Sequence, residues 1–438
     1  MGKMLRDRQA YSGARTRALR NAREYYANGT NLDVNGAFFD QLLQAKLENN
    51  RTGGQYSMRF AFISTMRGSS WGGSEELWSQ TATQLKLAGH DVRASVVYRP
   101  QLSDKHAELA RHGVELETHP SYLAGPIRRV WNTYSLGTRR SYNRLKRFHP
   151  DLVVISQGQN SGGFDWAKVC RTAAIPYVLI VQCNNELLWF WDPEFSEAVA
   201  SYTDARRIFC VSRGNLDLLR LQVGDPLLNG EVVWNPYNVS TEPAPAWPDE
   251  SKGWRLACVA RMDPAAKGQD LLLQILARPE WRERCVEVNF FGTGSYELSL
   301  RRIAEMLQVK NVHFRGHTND IRAIWEQNHI LVLPSRYEGL PIALVEAMWC
   351  GRPAVVTDVG GNAELCVDGE TGFVAPSATL SSFAQTLQRA WEARTEWPRL
   401  GEAARARAES QIPKDPIGLF CARLKTCATG ISGEASAG

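Results

Sequence analysis

LVLPSRYEGLPIALVEAMWCGRPAVVTDVGGNAELCVDGETGFVAP, residues Leu331–Pro376, sets two carboxylates, Glu338 and Glu346, around the start of a helix. Ile330–Leu333 is a short apolar run closed by Pro-Ser, the pattern of a buried parallel strand, and Ala343–Trp349 follows with helical spacing. Strand, loop and helix in that order predict an open α/β fold, whose ligands lie outside the carboxyl ends of the strands. Pro341 suits the first helical position, where its missing N–H would have no intrahelical partner, and Gly339 lets the backbone come close to a ligand. The amides of Leu340 and Ile342 are candidate anion donors. Glu338 falls in the loop and Glu346 more than a turn inside the helix, so both can face one crevice, where carboxylate oxygens accept hydrogen bonds from a vicinal diol. For Glu346 taken alone, a solvated surface carboxylate is the alternative reading.

The stretch upstream has the same grammar. Arg255–Arg261 (RLACVAR) reads as a strand, MDPAAKG as a loop and Gln269–Ala277 as a helix. Arg261 and Lys267 therefore bracket a strand-to-helix turn. Two cations beside a helix N-terminus make an electropositive cradle for a diphosphate, arginine as a fork and lysine as a point charge. Solvated surface charges are the alternative.

In chain order, VARMDPAAKGQDLLL from Val259, FGTGSYE from Phe291, VHFRGHTNDI from Val312 and the Glu338/Glu346 pair resemble the donor-binding half of retaining glycosyltransferases of family 4, which have the GT-B fold. Gly292-Thr293-Gly294 lacks the third glycine of a dinucleotide fingerprint and has Glu297 in its place, which argues against a nicotinamide cofactor. Further upstream, Arg59–Ser64 reads as a strand, Thr65–Ser74 as a glycine-rich loop and Glu75–Ala88 as a helix, with Asp91–Tyr98 the next strand. GGSEELWSQTATQLKLAGHDV from Gly72 is similar to the first βα unit of that family, whose Gly-Gly backbone approaches the donor phosphates from the opposite domain; Gly72 and Gly73 are carried over on that basis, with a plain tight turn as the alternative. Leu152–Ile155, Tyr177–Val181, Ile208–Ser212 and Val232–Trp234 read as further strands of this first domain.

The resemblance implies an α/β chain of GT-B type, two Rossmann-like doubly wound domains facing across a cleft. It implies transfer of a sugar from a nucleotide-diphosphate sugar to a glycan or glycolipid hydroxyl with retention. Donor contacts are expected from Gly292, Glu338, Gly339, Leu340, Pro341, Ile342 and Glu346. Arg261 and Lys267 would stabilise the diphosphate, Glu338 would hold the donor sugar and Glu346 the ribose. No metal and no cofactor is expected. One position departs from the family: the strand after Pro176 usually ends in a histidine that contacts the sugar, and this chain has Gln182 in VLIVQCNNE. None of the eight histidines fills that place. Glutamine can hydrogen-bond a hydroxyl or stabilise a developing positive centre through its carbonyl, but it cannot shuttle a proton. Asn184, Asn185 and Glu186 could share the task. Three rival readings remain open: a glycoside hydrolase, disfavoured by the Arg261/Lys267 cradle because plain glycosides carry no diphosphate; a GT-B epimerase or phosphorylase; and a sugar-nucleotide-binding protein without catalysis.

The expected organisation is a basic N-terminal extension at 1–57, an acceptor-side domain at 58–236, a proline-rich linker at 237–253, a donor-binding domain at 254–410, and a crossover helix with tail at 411–438, of which Pro416–Thr426 is the helix. Nine scattered cysteines without metal-ligand spacing fit free thiols in a reducing cytosol. The first residues are basic without an apolar segment and do not read as a secretory signal, so the expected location is cytoplasmic. The net charge of +5 is unevenly spread: Arg128–Arg147 holds seven cationic residues and no acidic one, interleaved with Trp131, Tyr134 and Tyr142. Docking on the inner face of an anionic membrane, binding of acidic substrates or phosphates, and a solvated helix face are its readings. Nucleic acid is not expected, because no recognised binding module accompanies the charge.

Overall fold

The computed structural model describes residues 57–67, 71–100, 102–120, 136–239 and 243–430. The basic extension at 1–57 (save Ser57) and Arg128–Ser135 of the cationic segment lie outside them. The first sheet contains β1 (Arg59–Ser64), β2 (Asp91–Val97), β3 (Glu115–His119), β4 (Leu152–Gln157), β5 (Tyr177–Val181), β6 (Arg207–Cys210) and β7 (Gly230–Val232), in the spatial order β3-β2-β1-β4-β5-β6-β7. The second contains β8 (Trp254–Val259), β9 (Val286–Phe291), β10 (Val312–Gly316), β11 (Ile330–Leu333), β12 (Ala354–Thr357) and β13 (Gly372–Ala375), in the order β10-β9-β8-β11-β12-β13. Neighbouring strands are parallel in both sheets. Parallel strands need crossovers, the crossovers are helices, and helices on both faces leave β4 and β5 buried at every residue. Two doubly wound Rossmann-like domains are therefore present, as expected.

Strand order reverses beside the first strand of each sheet, between β1 and β4 and between β8 and β11. Loops leaving the carboxyl ends of strands on either side of that point diverge and open a crevice. The loops that carry Arg261 and Lys267 leave β8, and the loop that carries Glu338 leaves β11. The sequence thus delivers its charged residues to the one place in the sheet where backbone geometry makes room for a ligand.

Burial joins the domains. One apolar cluster runs from Phe60, Trp78 and Phe209 of the first domain to Leu331, Leu344 and Trp349 of the second. Separate clusters fill the other face of each sheet. The last described helix, Pro416–Thr429, packs on the first domain: Phe420 meets Phe209 edge-on at 5.0 Å, Arg423 pairs with Glu231 at 2.7 Å, and Arg206 binds the carbonyl of Cys427.

Some boundaries differ from the sequence reading. The apolar run Val232–Trp234 extends past the sheet, and β7 spans Gly230–Val232, because its partner β6 ends at Cys210, opposite Val232. Likewise β8 stops at Val259, paired with Phe291, so Arg261 lies beyond the ladder. MDPAAKG is not a plain loop: Pro264–Lys267 forms one helical turn, with proline at its start and Gly268 in the left-handed conformation at its end.

Candidate functional site

The loop after β8 is shaped by glycines placed where no side chain fits. Gly268 has φ +65°, and a methyl there would lie 2.0 Å from the carbonyl oxygen of Pro334 in the loop after β11. Gly292 has φ +121° and packs behind Ala260, 2.2 Å from its carbonyl on the same construction. The glycine loop after β9 thus acts as backing for the Arg261 turn, reinforced by Met262 N–H donating to the Thr293 carbonyl at 3.1 Å.

With the turn fixed, the charges meet. The Lys267 ammonium lies 2.6 Å from Glu338 Oε1, which also accepts from Ser335 Oγ at 2.8 Å. Glu338 is 5% exposed, so this is a largely desolvated pair. Arg261 donates to Asp263 at 2.8 Å and remains partly open to solvent. Below them Arg336 grips Asp270 through both its nitrogens, at 2.6 and 2.8 Å, and ties the two loops to the helix Gln269–Leu276.

The helix that follows Glu338 spans Ile342–Trp349. Pro341 is its N-cap, with φ −66° and ψ 122°, rather than its first helical residue: its carbonyl already accepts from Leu344 N–H at 3.1 Å, while its ψ is extended. No side chain caps this end. The amides of Ile342 and Ala343, ahead of that first bond, have no intrahelical acceptor. Gly73, first residue of the helix Gly73–Leu87 that leaves β1, meets Ile342 from the opposite domain, with Gly72 as N-cap. A methyl on Gly73 would sit 3.1 Å from Ile342 Cδ1, so two helix N-termini face each other across the domain boundary.

Gln182 directly follows β5, and its carbonyl oxygen abuts Gly339, where an added methyl would fall 2.0 Å from it. The Gln182 side chain accepts from Asn235 Nδ2 at 3.1 Å. Its own Nε2 and Asn235 Oδ1 are buried with no partner in the protein. Exchanging both amide orientations leaves the same remainder, one donor and one acceptor. Asn235 is a candidate site residue that the sequence pattern places at the end of a domain. Its only signal was position after β7, and its meaning depends on a neighbour more than fifty residues away. Asn184 and Asn185, expected to assist Gln182, are engaged elsewhere: Asn184 binds Gln222 at 2.7 Å, and Asn185 Oδ1 holds the Leu187 amide at 2.8 Å.

Glu346 does not join Lys267 and Glu338 in one hydrogen-bonded cluster. It is buried against the interdomain connection, where Oε1 accepts from the Asn238 amide at 3.0 Å. Burial above all, with the charge of Glu76 beside it, pushes its carboxyl up to about 7 against the lowering effect of the Asn238 hydrogen bonds. Glu75 on the facing helix is pushed up to about 7 by burial as well, opposed by a 2.7 Å hydrogen bond from Ser64. Both groups stand above their ordinary value of 4.5, so the folded state binds more protons than the unfolded state between about pH 4.5 and 7. Stability is expected to be fully present below that window and to fall as pH rises through it, by about 3 kcal/mol per group as an order of magnitude. Urea denaturation across this range should show that slope, and Glu75→Gln should remove about half of it; an unchanged slope contradicts the assignment. Among the described residues no group of three or more His, Cys, Asp or Glu side chains is disposed to hold a metal ion.

Comparison with known proteins adds a family context. The model for "Glycosyl transferases group 1" matches residues 253–393, the domain that carries Arg261, Lys267, Glu338 and Glu346. The chain is 30% identical over 146 residues to the D-rhamnosyltransferase WbpZ of Pseudomonas aeruginosa, covering 32% of this chain and 37% of that one. It is 30% identical over 238 residues to the D-inositol 3-phosphate glycosyltransferase 2 of Catenulispora acidiphila, 51% of this chain and 52% of that one. Aligned stretches thus span between a third and a half of these relatives. In structure the chain resembles Anabaena HepE in complex with UDP, with a TM-score of 0.66 at 17% identity, over 84% of this chain and all of that one. The fold is the two-domain GT-B architecture.

Proposed function

We propose that this protein is a glycosyltransferase of polysaccharide or glycoconjugate synthesis that moves a sugar from a nucleotide-diphosphate sugar to a glycan or lipid-linked glycan hydroxyl, with retention and without a metal or cofactor. The observation that carries the reading is the meeting of Lys267 and Glu338 at the switch point of the second sheet, beside the uncapped helix N-terminus at Ile342. The family match over the same residues supports it.

In this reading the donor diphosphate replaces Glu338 as the partner of Lys267 and Asp263 as the partner of Arg261. The exchange leaves Glu338 free to accept from the donor sugar's hydroxyls, so one binding event arms both groups. Cations and helix amides already in place stabilise negative charge on the departing diphosphate without reorganising, which for one donor is worth about 3 kcal/mol in turnover. The diphosphate then takes the acceptor's proton on the same face as the incoming oxygen, and no enzymic nucleophile is required. Gln182 Nε2 and Asn235 Oδ1 together offer the donor and acceptor that one sugar hydroxyl needs. Glu346 reaches the ribose only by sharing its carboxylate with Asn238. Retention is tested by the anomeric proton coupling of the isolated product; an inverted product would refute it. Gln182 also motivates a second reading, a protein that binds donor without turning it over.

A peripheral membrane contact is part of the proposal. In the described part of the cationic segment, the helix Leu136–Phe148 buries Ser141, Leu145 and Phe148 and exposes Arg140, Lys146 and Arg147, while Arg144 pairs with Glu117 at 2.9 Å. No described helix is long and apolar enough to cross a membrane. Flotation with anionic vesicles at low salt is expected and should weaken when Arg140, Lys146 and Arg147 are replaced by serine; equal flotation with neutral vesicles would sink the idea.

A further inference from the structure

Exposed large apolar residues on a folded surface are ordinary when scattered and informative when gathered. Here four gather within the nine residues Leu187–Phe195: Leu187 is 88% exposed, Trp189 63%, Trp191 67% and Phe195 39%. The stretch lies in the connection after β5 and begins five residues beyond Gln182.

Its backbone is fixed from beneath. Four buried amide side chains, Asn160, Asn184, Asn185 and Gln222, hold it: Asn160 donates to the Leu188 carbonyl at 2.8 Å, Gln222 to the Asn185 carbonyl at 2.9 Å, and Asn184 to Gln222 at 2.7 Å. Between the two exposed indoles, Phe190 turns inward against Phe164 and Tyr202, with ring centres 5.8 and 6.0 Å apart. The Trp189 indole N–H is already bound to the Glu186 carbonyl at 2.8 Å, so what this ring has left to offer is its surface. A buried polar network that holds two tryptophans in water is a display, and the ordering that binding would otherwise require is already complete.

The chemistry around the rings selects the ligand. Glu186 and Asp192 are exposed beside them and accept hydrogen bonds only. Between Arg171 and Arg206 the chain has no lysine or arginine, and Arg171 and Lys168 themselves pair with Glu197. The stretch itself therefore supplies no cation to a phosphate, an anionic bilayer or a nucleic acid. Flat apolar faces flanked by carboxylates suit a ring that is apolar on its faces and hydroxylated at its rim. The stretch leads on along the chain from the donor crevice: Gln182, whose carbonyl touches Gly339, lies five residues before Leu187.

We infer that Trp189 and Trp191 form an acceptor subsite that stacks the sugar rings of a neutral oligosaccharide and presents its end to the donor crevice. The inference rests on the proposed reading of that crevice as a sugar-nucleotide site. The test uses the full chain with maltotetraose, cellotetraose and chitotetraose as probes, read by saturation-transfer NMR and tryptophan fluorescence, with uridine and guanosine diphosphate binding measured on the same samples. Binding of at least one oligosaccharide is expected. W189A/W191A should weaken it by about tenfold or more while nucleotide binding stays unchanged, and W189F/W191F should stay within about threefold of the parent because the ring faces remain. Both positions are exposed, so the variants should keep the parent melting temperature. Failure to bind any of the three, or binding indifferent to W189A/W191A, overturns the inference. So does a dimer that dissolves in that variant, which would give the face to a second copy, or tryptophan-dependent flotation with phosphatidylcholine vesicles, which would give it to a bilayer. Loss of the crevice reading looks different: nucleotides fail to bind while tryptophan-dependent oligosaccharide binding persists.

Discussion

Lys267→Ala is expected to lower nucleotide release by about 10²–10³-fold, the usual consequence of removing one preorganised group that stabilises developing charge. It should also destabilise the fold by about 3 kcal/mol, because Glu338 would remain buried with Ser335 as its hydrogen-bond partner and no cation. These two effects can be separated. In Lys267→Ala with Glu338→Gln the uncompensated charge is gone, so the melting temperature should return most of the way to that of the parent. Turnover should not return, because the cation that faces the leaving diphosphate is still missing. Recovery of both together would mean that Lys267 is only a structural partner of Glu338, and near-normal release by the single variant would refute its assigned role outright.

The second large effect concerns shape. Gly339→Ala is expected to leave each domain folded and to reduce turnover by about a hundredfold, because a displacement near 1 Å is enough to spoil catalytic alignment. The added methyl would fall 2.0 Å from the Gln182 carbonyl and 2.7 Å from Val211 Cγ2, both on the other domain. The neighbours on this side are backbone and a fully buried valine, so neither can swing away. Relief comes from opening the domain boundary, which parts Gly73 from Ile342 and Gln182 from the donor loop. Circular dichroism should stay that of the parent while small-angle scattering reports a longer maximum dimension. A variant with parent dimensions and parent turnover would contradict the account of a crevice closed by backbone contact.

What could be read in the sequence was local. Apolar runs followed by polar turns, glycine-rich after β1, marked β1, β5, β8 and β11, and the eight-residue step from Glu338 to Glu346 marked a loop and a helix on the same strand-to-helix unit. The parallel, doubly wound order followed from that alternation, since parallel neighbours need crossovers of helical length. The Lys267–Glu338 contact joins residues seventy-one apart and was approached from the sequence only as two loops of one crevice. Strand ends were misjudged where hydrophobicity outran pairing: Val232–Trp234 stays apolar beyond Cys210, yet no partner strand continues beside it.

Three features had no local signal. Pro341 reads equally as the first helical residue or the cap, because both accept a φ near −65° and only ψ separates them. The partner of Glu346 is a backbone amide at Asn238, 108 residues away, and backbone groups carry no sequence identity. Trp189 and Trp191 sit in an aromatic run that would ordinarily be core. The backbone beside them is held, through the carbonyls of Leu188 and Asn185, by Asn160 and Gln222 from other parts of the chain.

The central claim is that the Lys267–Glu338 crevice turns over a sugar nucleotide. Its most direct test is nucleotide release by the purified protein from a panel of uridine, guanosine and adenosine diphosphate sugars, each with and without crude lipid-linked acceptors. Release from one donor is expected, stimulated by acceptor and lowered by about 10²–10³-fold in Lys267→Ala. Tight binding of a donor with no release under any acceptor would contradict it and make Gln182→His the substitution to examine next.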